Sequence, residues 1–144
     1  MKIFLIEDDP QTRFSIKLYF LEAFSEIEEN EFKRPEDRMK FAEDKVAGKV
    51  VFLEEKDCSG VQKRYKEGFF DVIILDGNLL DGKTINLFEL FKNEKRKVIA
   101  HSGDIFFLTQ AAKFGFRSVL KEFPFSTLVS ECKEILECKE ILVL

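Results

Sequence analysis

The sequence predicts an α/β fold in which five parallel strands form one sheet covered by helices on both faces. Two observations carry that expectation. Apolar runs of strand length alternate with segments of helical period along the chain. Two of these runs end in carboxylates: Lys2-Ile3-Phe4-Leu5-Ile6 leads into Glu7-Asp8-Asp9-Pro10, and Val72-Ile73-Ile74-Leu75 leads into Asp76-Gly77-Asn78. Strands separated by helices build βαβ units with right-handed crossovers, which make the sheet parallel and bury both of its faces. Open sheets of this kind gather their chemistry at the carboxyl ends of the strands. If the two carboxylate-tipped strands are neighbours, at least three acidic groups converge at one edge, and such a cluster needs a cation.

The first strand spans 2–6. Pro10 suits the first turn of a helix, and Phe14, Leu18, Leu21 and Phe24 recur behind it at helical spacing. From 30 to 49 the chain is densely charged, with Phe32, Met39, Ala42 and Val46 as sparse apolar positions on one helical face. This stretch reads as a solvated extra helix, a surface insertion of the kind that connections accept readily, with a partner-specific contact as the other reading. The second strand follows at 49–53, and a short helix at 61–66 ends at Gly68. The third strand delivers Asp76, and Ile85, Leu87, Phe88 and Phe91 give 84–92 a helical stripe. The fourth strand, 97–101, ends at Ser102-Gly103-Asp104. A helix over 105–114 closes on Gly115 as its C-cap. The short fifth strand is 118–121, and the last helix runs from about 126. Cys132-Lys133-Glu134-Ile135-Leu136 and Cys138-Lys139-Glu140-Ile141-Leu142 nearly repeat, but a six-residue period is not helical and reads as coincidence. The apolar end, Ile141 to Leu144, packs on the body or supports a homodimer.

A chain of 144 residues with 45% apolar content fits a single domain, 1–144, with a real core. Seventeen Phe against no Trp and two Tyr fill that core with rings lacking a polar handle, which suits burial. The net charge of −4 and the interspersed signs leave no basic stripe for a phosphate backbone, so direct nucleic-acid binding is not expected. No apolar run approaches the roughly 20 residues of a membrane span, and Met1-Lys2 enters a strand directly, so a cytoplasmic protein is expected. Cys58, Cys132 and Cys138 show no CxxC or Cys/His pairing and read as reduced thiols, with neither a disulfide framework nor a zinc site.

These motifs together resemble the receiver domains of two-component response regulators, over nearly the whole chain. An acidic pair closes the first strand, an aspartate the third and a serine the fourth, while a lysine lies near the fifth. The resemblance implies the flavodoxin-like strand order 2-1-3-4-5, which receivers are known to share. It places Glu7 and Asp8 on the metal-binding acidic pair, with Asp9 just beyond, and Asp76 on the phosphoacceptor. Asn78 would offer its backbone carbonyl to the metal, Ser102 its hydroxyl to the phosphoryl group, and Lys121 its ammonium. Mg²⁺ is the implied ion, since a hard cation with oxygen ligands offsets the repulsion of a phosphoryl group against carboxylates. An aspartate nucleophile forming an acyl phosphate, flanked by a lysine and a hydroxyl, is recognised covalent chemistry. The implied partners are a histidine kinase or phosphotransfer protein and an output protein. The chain stops at about the end of the last helix, so no attached effector domain is expected.

The sequence also departs from the family. Leu80 stands where a proline is customary and Thr84 where a glycine is, unless Asp81-Gly82 is paired with the family's Asp/Gly by a two-residue deletion. Counting forward from Gly115 puts Glu122 at the family's lysine, and a one-residue slip on a strand turns a side chain to the other face. Val119 stands where many receivers carry a Tyr or Phe, so no aromatic switch coupled to Ser102 is expected. Each site residue also has a plain structural role open to it: Asp8 and Asp9 as helix caps, Asp76 as an Asx-turn residue, and the lone His101 as a packing or rim residue. Two other functions remain open at this level. One is a phosphorylation-independent pseudo-receiver that only binds partners. The other is a phosphatase of the haloacid dehalogenase type, which wants a second aspartate where Asn78 stands.

Overall fold

The computed structural model describes residues 1–25, 34–46 and 48–143, with side chains as far as Glu137. The chain runs β1 (Lys2–Ile6), α1 (Pro10–Phe24), α2 (Pro35–Val46), β2 (Val51–Glu55), α3 (Cys58–Arg64) and β3 (Val72–Leu75). A small antiparallel hairpin follows, β4 (Asn78–Leu79) and β5 (Gly82–Lys83), then a 3₁₀ helix over Thr84–Phe91. β6 (Val98–Ser102), α4 (Ile105–Phe114), β7 (Arg117–Leu120) and α5 (Ser126–Val143) complete it. The main sheet has the order β2-β1-β3-β6-β7, all parallel, which is the expected 2-1-3-4-5 once the hairpin is set aside.

Period-two alternation divides the strand side chains between two cores. Phe4, Ile6, Ile73, Leu75, Val98 and Ala100 face one side, against Val61 of α3, Phe88 and Phe91 of the 3₁₀ helix, and Phe107 and Ala111 of α4. Ile3, Leu5, Val72, Ile74, Ile99 and Val119 face the other, against Ile16 and Phe20 of α1 and Leu128, Val129 and Cys132 of α5. The central strands are buried on both faces, which is why they read as unbroken apolar runs.

The elements differ from expectation in several places, β6 (Val98–Ser102) by a single residue at each end. On α1, the sheet-facing residues are Ile16 and Phe20, whereas Phe14, Leu18 and Leu21 pack with Met39, Ala42 and Val46 of α2. The inserted helix is therefore not simply solvated, because one apolar face closes on α1 while its charges face outward. Asn30 and Phe32 lie outside the described residues, as do Leu144 and the side chains of Cys138 and Ile141 to Val143. β2 begins and ends two residues later than expected, since its pairing with β1 carries through Ile6↔Glu55. An edge strand tolerates charge, so the apolar run understates its length. α3 starts at Cys58 because Asp57 caps it, accepting from Gly60 N at 2.6 Å. The segment after β5 is a 3₁₀ helix, whose three-residue turn lines up Ile85, Phe88 and Phe91. β7 spans Arg117–Leu120, which places Lys121 just past its end.

Gly115 closes α4 at φ 104°, a left-handed C-cap as expected. Cys58 and Cys132 are free thiols, and among the described residues no helix is long and apolar enough to cross a membrane.

Candidate functional site

The parallel register brings four strand ends to one edge. Ile6 pairs with Leu75, Leu75 with Ala100 and Ser102 with Leu120. Glu7 and Asp76 are thus the first residues past two adjacent central strands, Ser102 is the last residue of β6, and Lys121 is the first past β7. Backbone bonds continue the sheet through these positions, with Glu7 N donating to Glu55 O at 3.0 Å, Asp76 N to Ile6 O at 2.9 Å and Lys121 N to Ser102 O at 2.9 Å.

The side chains converge. Lys121 Nζ lies 2.7 Å from Glu7 Oε1 and 3.0 Å from Asp76 Oδ1, so one ammonium bridges the two carboxylates. The one-residue count that favoured Glu122 does not describe this geometry: the chain leaves the strand at Lys121, and its long stem crosses β6 to reach the site. Oxygen atoms of Glu7, Asp8 and Asp76 all lie within 4.8 Å of one another, an arrangement that could hold a metal ion. An all-carboxylate donor set of this spacing suits a hard divalent cation such as Mg²⁺. Asn78 opens the hairpin two residues beyond Asp76, with its side chain exposed.

Electrostatics reflect the crowding. Glu7 is 2% exposed, and burial together with its hydrogen bond to Asp76 pushes its pKa up to about 8, against the opposing pull of Lys121. Burial works against the Lys121 ammonium, but its bonds to Glu7 and Asp76 outweigh that and hold its pKa above the ordinary lysine value. Glu7 is thereby held in its protonated form at neutral pH, and a cation binding there would take the place of that proton.

Asp9 does not join the cluster. It accepts from Thr12 N at 3.2 Å and from the Thr12 hydroxyl, which caps α1 and holds its pKa below the usual carboxylate range. Asp8 and Asp9 thus divide the two roles open to them in the sequence.

Ser102 is buried, and its hydroxyl accepts from Asp104 N at 3.0 Å. Beside it, Gly77 is required by close approach, because a Cβ there would lie 2.8 Å from Ser102 Oγ and 3.0 Å from the Phe107 ring. Gly77→Ala is therefore expected to lower stability by about 1–3 kcal/mol through overpacking, read as a lowered urea midpoint. Val119 sits in the α5-side core, and on the opposite face of β7 the Ser118 hydroxyl donates to Leu108 O at 3.0 Å.

His101 is a packing residue, 2% exposed and edge-on to Phe125 at 5.7 Å. Burial, with a smaller contribution from the Lys121 charge, pushes its pKa down to about 4. Its native state stays neutral where the unfolded chain protonates, so stability present above pH 6.5 is lost as the pH falls toward 4. In His101→Gln that acid-side slope is expected to flatten in urea titrations.

Sequence reasoning missed Arg13, which donates from Nη1 to Glu7 O at 2.7 Å and Asp8 O at 3.2 Å and so holds the turn carrying both acids. Its place one turn into the helix behind an acidic pair was the available signal. Asp104, which caps α4 while anchoring Ser102, was also missed as a site residue.

Comparison with solved structures shows the receiver-domain fold. A putative response regulator from Chloroflexus aurantiacus superposes with a TM-score of 0.67 at 15% identity, covering 94% of this chain and 97% of that one. A response regulator receiver protein from Pseudoalteromonas atlantica gives 0.66 at 12% identity, covering 96% and 99%. The response regulator TrrA from Thermotoga maritima, in complex with Mg²⁺-BeF, gives 0.61 at 15% identity, covering 93% and 97%. No protein-family model and no curated protein matches the sequence.

Proposed function

We propose that the chain is a phosphoacceptor receiver: a histidine kinase or phosphotransfer protein transfers a phosphoryl group to Asp76, and the modified state signals through protein contact. The observation that carries this reading is the convergence of Glu7, Asp8, Asp76 and Lys121 at one sheet edge, in a fold shared with the solved response regulators named above. Asp76 Oδ attacks phosphorus, a P–O bond forms as the P–N bond of a phosphohistidine breaks, and the imidazole nitrogen keeps the electron pair and takes up a proton. Lys121 offsets charge on the carboxylate and the incoming oxygens, while the Ser102 hydroxyl supplies a hydrogen bond. Asp8, Asp76, Glu7 and the Asn78 carbonyl are the groups that would hold the ion. Bound Mg²⁺ supplies positive charge against the phosphoryl oxygens.

Output by contact needs an apolar surface, and Ile105, Phe106, Leu120 and Phe123 expose 62%, 68%, 42% and 81% of their area close in sequence to Ser102 and Lys121. These residues are the proposed docking positions. Intact-mass spectrometry after incubation with Mg²⁺ and acetyl phosphate tests the reading. A single Mg²⁺-dependent phosphoryl adduct absent from Asp76→Asn is expected. A folded chain that neither gains an adduct nor binds Mg²⁺ is instead a phosphorylation-independent interaction module.

A further inference from the structure

Asp81 lies at the tip of the hairpin that follows Asp76, yet its carboxylate is bound to a different part of the chain. Oδ1 accepts from Cys58 N at 2.6 Å and Oδ2 from Ser59 N at 3.0 Å. These are first-turn amides of α3, a helix that already has its own cap in Asp57, which accepts from Gly60 N at 2.6 Å. Three successive amides are therefore held by two carboxylates, of which only Asp57 is local. The amide bonds hold the Asp81 pKa below the usual carboxylate range. Cys58 is not a reactive group here, since burial and the neighbouring Asp81 push its thiol up to about 11.

A local cap stabilises its own helix, whereas a cap supplied from 23 residues away ties two segments together. The two segments flank the acidic cluster. α3 follows β2, whose last residue accepts from Glu7 N at 3.0 Å. The hairpin begins at Asn78, buries Leu79 in the core, and donates from Leu80 N to Lys56 O at 3.5 Å. With the Asp81 clamp added, the hairpin is held through buried Leu79 on its first strand and through Leu80 and Asp81 at its turn.

We infer that Asp81 is a positioning residue for the cation site, clamping the hairpin to α3 so that the Asn78 backbone is fixed relative to Asp8 and Asp76 before the ion arrives. The inference rests on the phosphoacceptor reading, in which the Asn78 carbonyl is a ligand. Mg²⁺ demands near-ideal octahedral geometry, so a hairpin free to shift weakens binding even though Asp81 itself never touches the ion. Loss of a hydrogen bond made directly to a metal ligand typically costs about 10–100-fold in metal affinity, and Asp81, which acts through the hairpin backbone, belongs at the low end of that range.

Calorimetric Mg²⁺ titration of the full chain, paired with amide hydrogen exchange in the metal-free state, tests it. Asp81→Ala is expected to weaken Mg²⁺ about tenfold and to speed exchange at residues 78–82, with Asp81→Asn intermediate because its single amide oxygen keeps one of the two bonds while its NH2 faces the other N–H. Glu94→Gln is the control. It disturbs the Tyr65, Gly68 and Lys97 bonds that precede β6 at the opposite edge of the sheet, and should lower stability while leaving Mg²⁺ affinity unchanged. Wild-type Mg²⁺ affinity in Asp81→Ala, with faster exchange confined to α3, would overturn the inference and leave Asp81 a helix cap only. A native chain that binds no Mg²⁺, or Asp76→Asn binding as well as the native chain, would overturn the cation reading itself, and the assignment of Asp81 with it.

Discussion

Lys121→Met is expected to lower stability by about 3 kcal/mol at pH 8, because removing one partner of a largely buried ion pair leaves the other charge uncompensated. Here one ammonium serves two carboxylates, Glu7 and Asp76, whose side chains are 3% and 10% exposed. The penalty should shrink at pH 6, where Glu7 can take up a proton and remove one of the stranded charges. Millimolar Mg²⁺ should restore much of the loss at pH 8 by occupying the same acidic cluster. Phosphoryl transfer should not recover to the same degree, since the charge Lys121 offers the incoming oxygens is gone. A slowing of about 10²-fold is expected, as for loss of one preorganised donor at a reacting group. Urea midpoints at the two pH values and adduct formation followed by mass spectrometry check both parts. Equal midpoints for variant and native chain at pH 8 would mean that Lys121 does not bridge the acids.

The second large effect is a stability profile that tilts the opposite way from ordinary acid denaturation. Glu7 has an ordinary pKa of 4.5 and a native one pushed up to about 8 by burial and by Asp76. The native state thus holds a proton that the unfolded chain has released. Stability contributed by this group is full below pH 4.5 and is lost as the pH rises through 8, by an amount on the order of 5 kcal/mol in the protein without Mg²⁺. The cation competes with that proton, so Mg²⁺ affinity should rise with pH over the same window and flatten the profile. Glu7→Gln should remove the slope without Mg²⁺ and weaken the Mg²⁺ response. His101 acts on the acid side with the reverse sign, so Glu7→Gln and His101→Gln separate the two contributions.

The sequence made the main sheet legible because its central strands are buried on both faces and bounded by sharp changes of character. Asp76 and Glu7 announce their strand ends, and Gly115 announces the end of α4. Elements supported from elsewhere in the fold were not legible. Ile16 and Phe20 were hidden because α1 has two apolar faces, one on the sheet and one on α2, and the more regular spacing belonged to the α2 side. The two-residue strands of the hairpin leave no periodicity to detect, and their geometry depends on Asp81 reaching amides 22 and 23 residues earlier. Among the candidate site residues, Glu7, Asp8, Asp76 and Lys121 do meet. Counting along the chain could not locate Lys121, because its place follows from the β6–β7 register and from the length of its stem. Arg13 and Asp104 act through backbone groups, which no side-chain motif records.

If Asp76 is the phosphoacceptor, the phosphoryl group resides on its carboxylate as an acyl phosphate. After incubation with Mg²⁺ and acetyl phosphate, borohydride reduction converts an aspartyl phosphate to homoserine, which peptide mass spectrometry locates. Homoserine is expected at position 76 alone, formed with Mg²⁺ and not without it. Homoserine at another aspartate, or an adduct that resists borohydride and maps to His101, would contradict it.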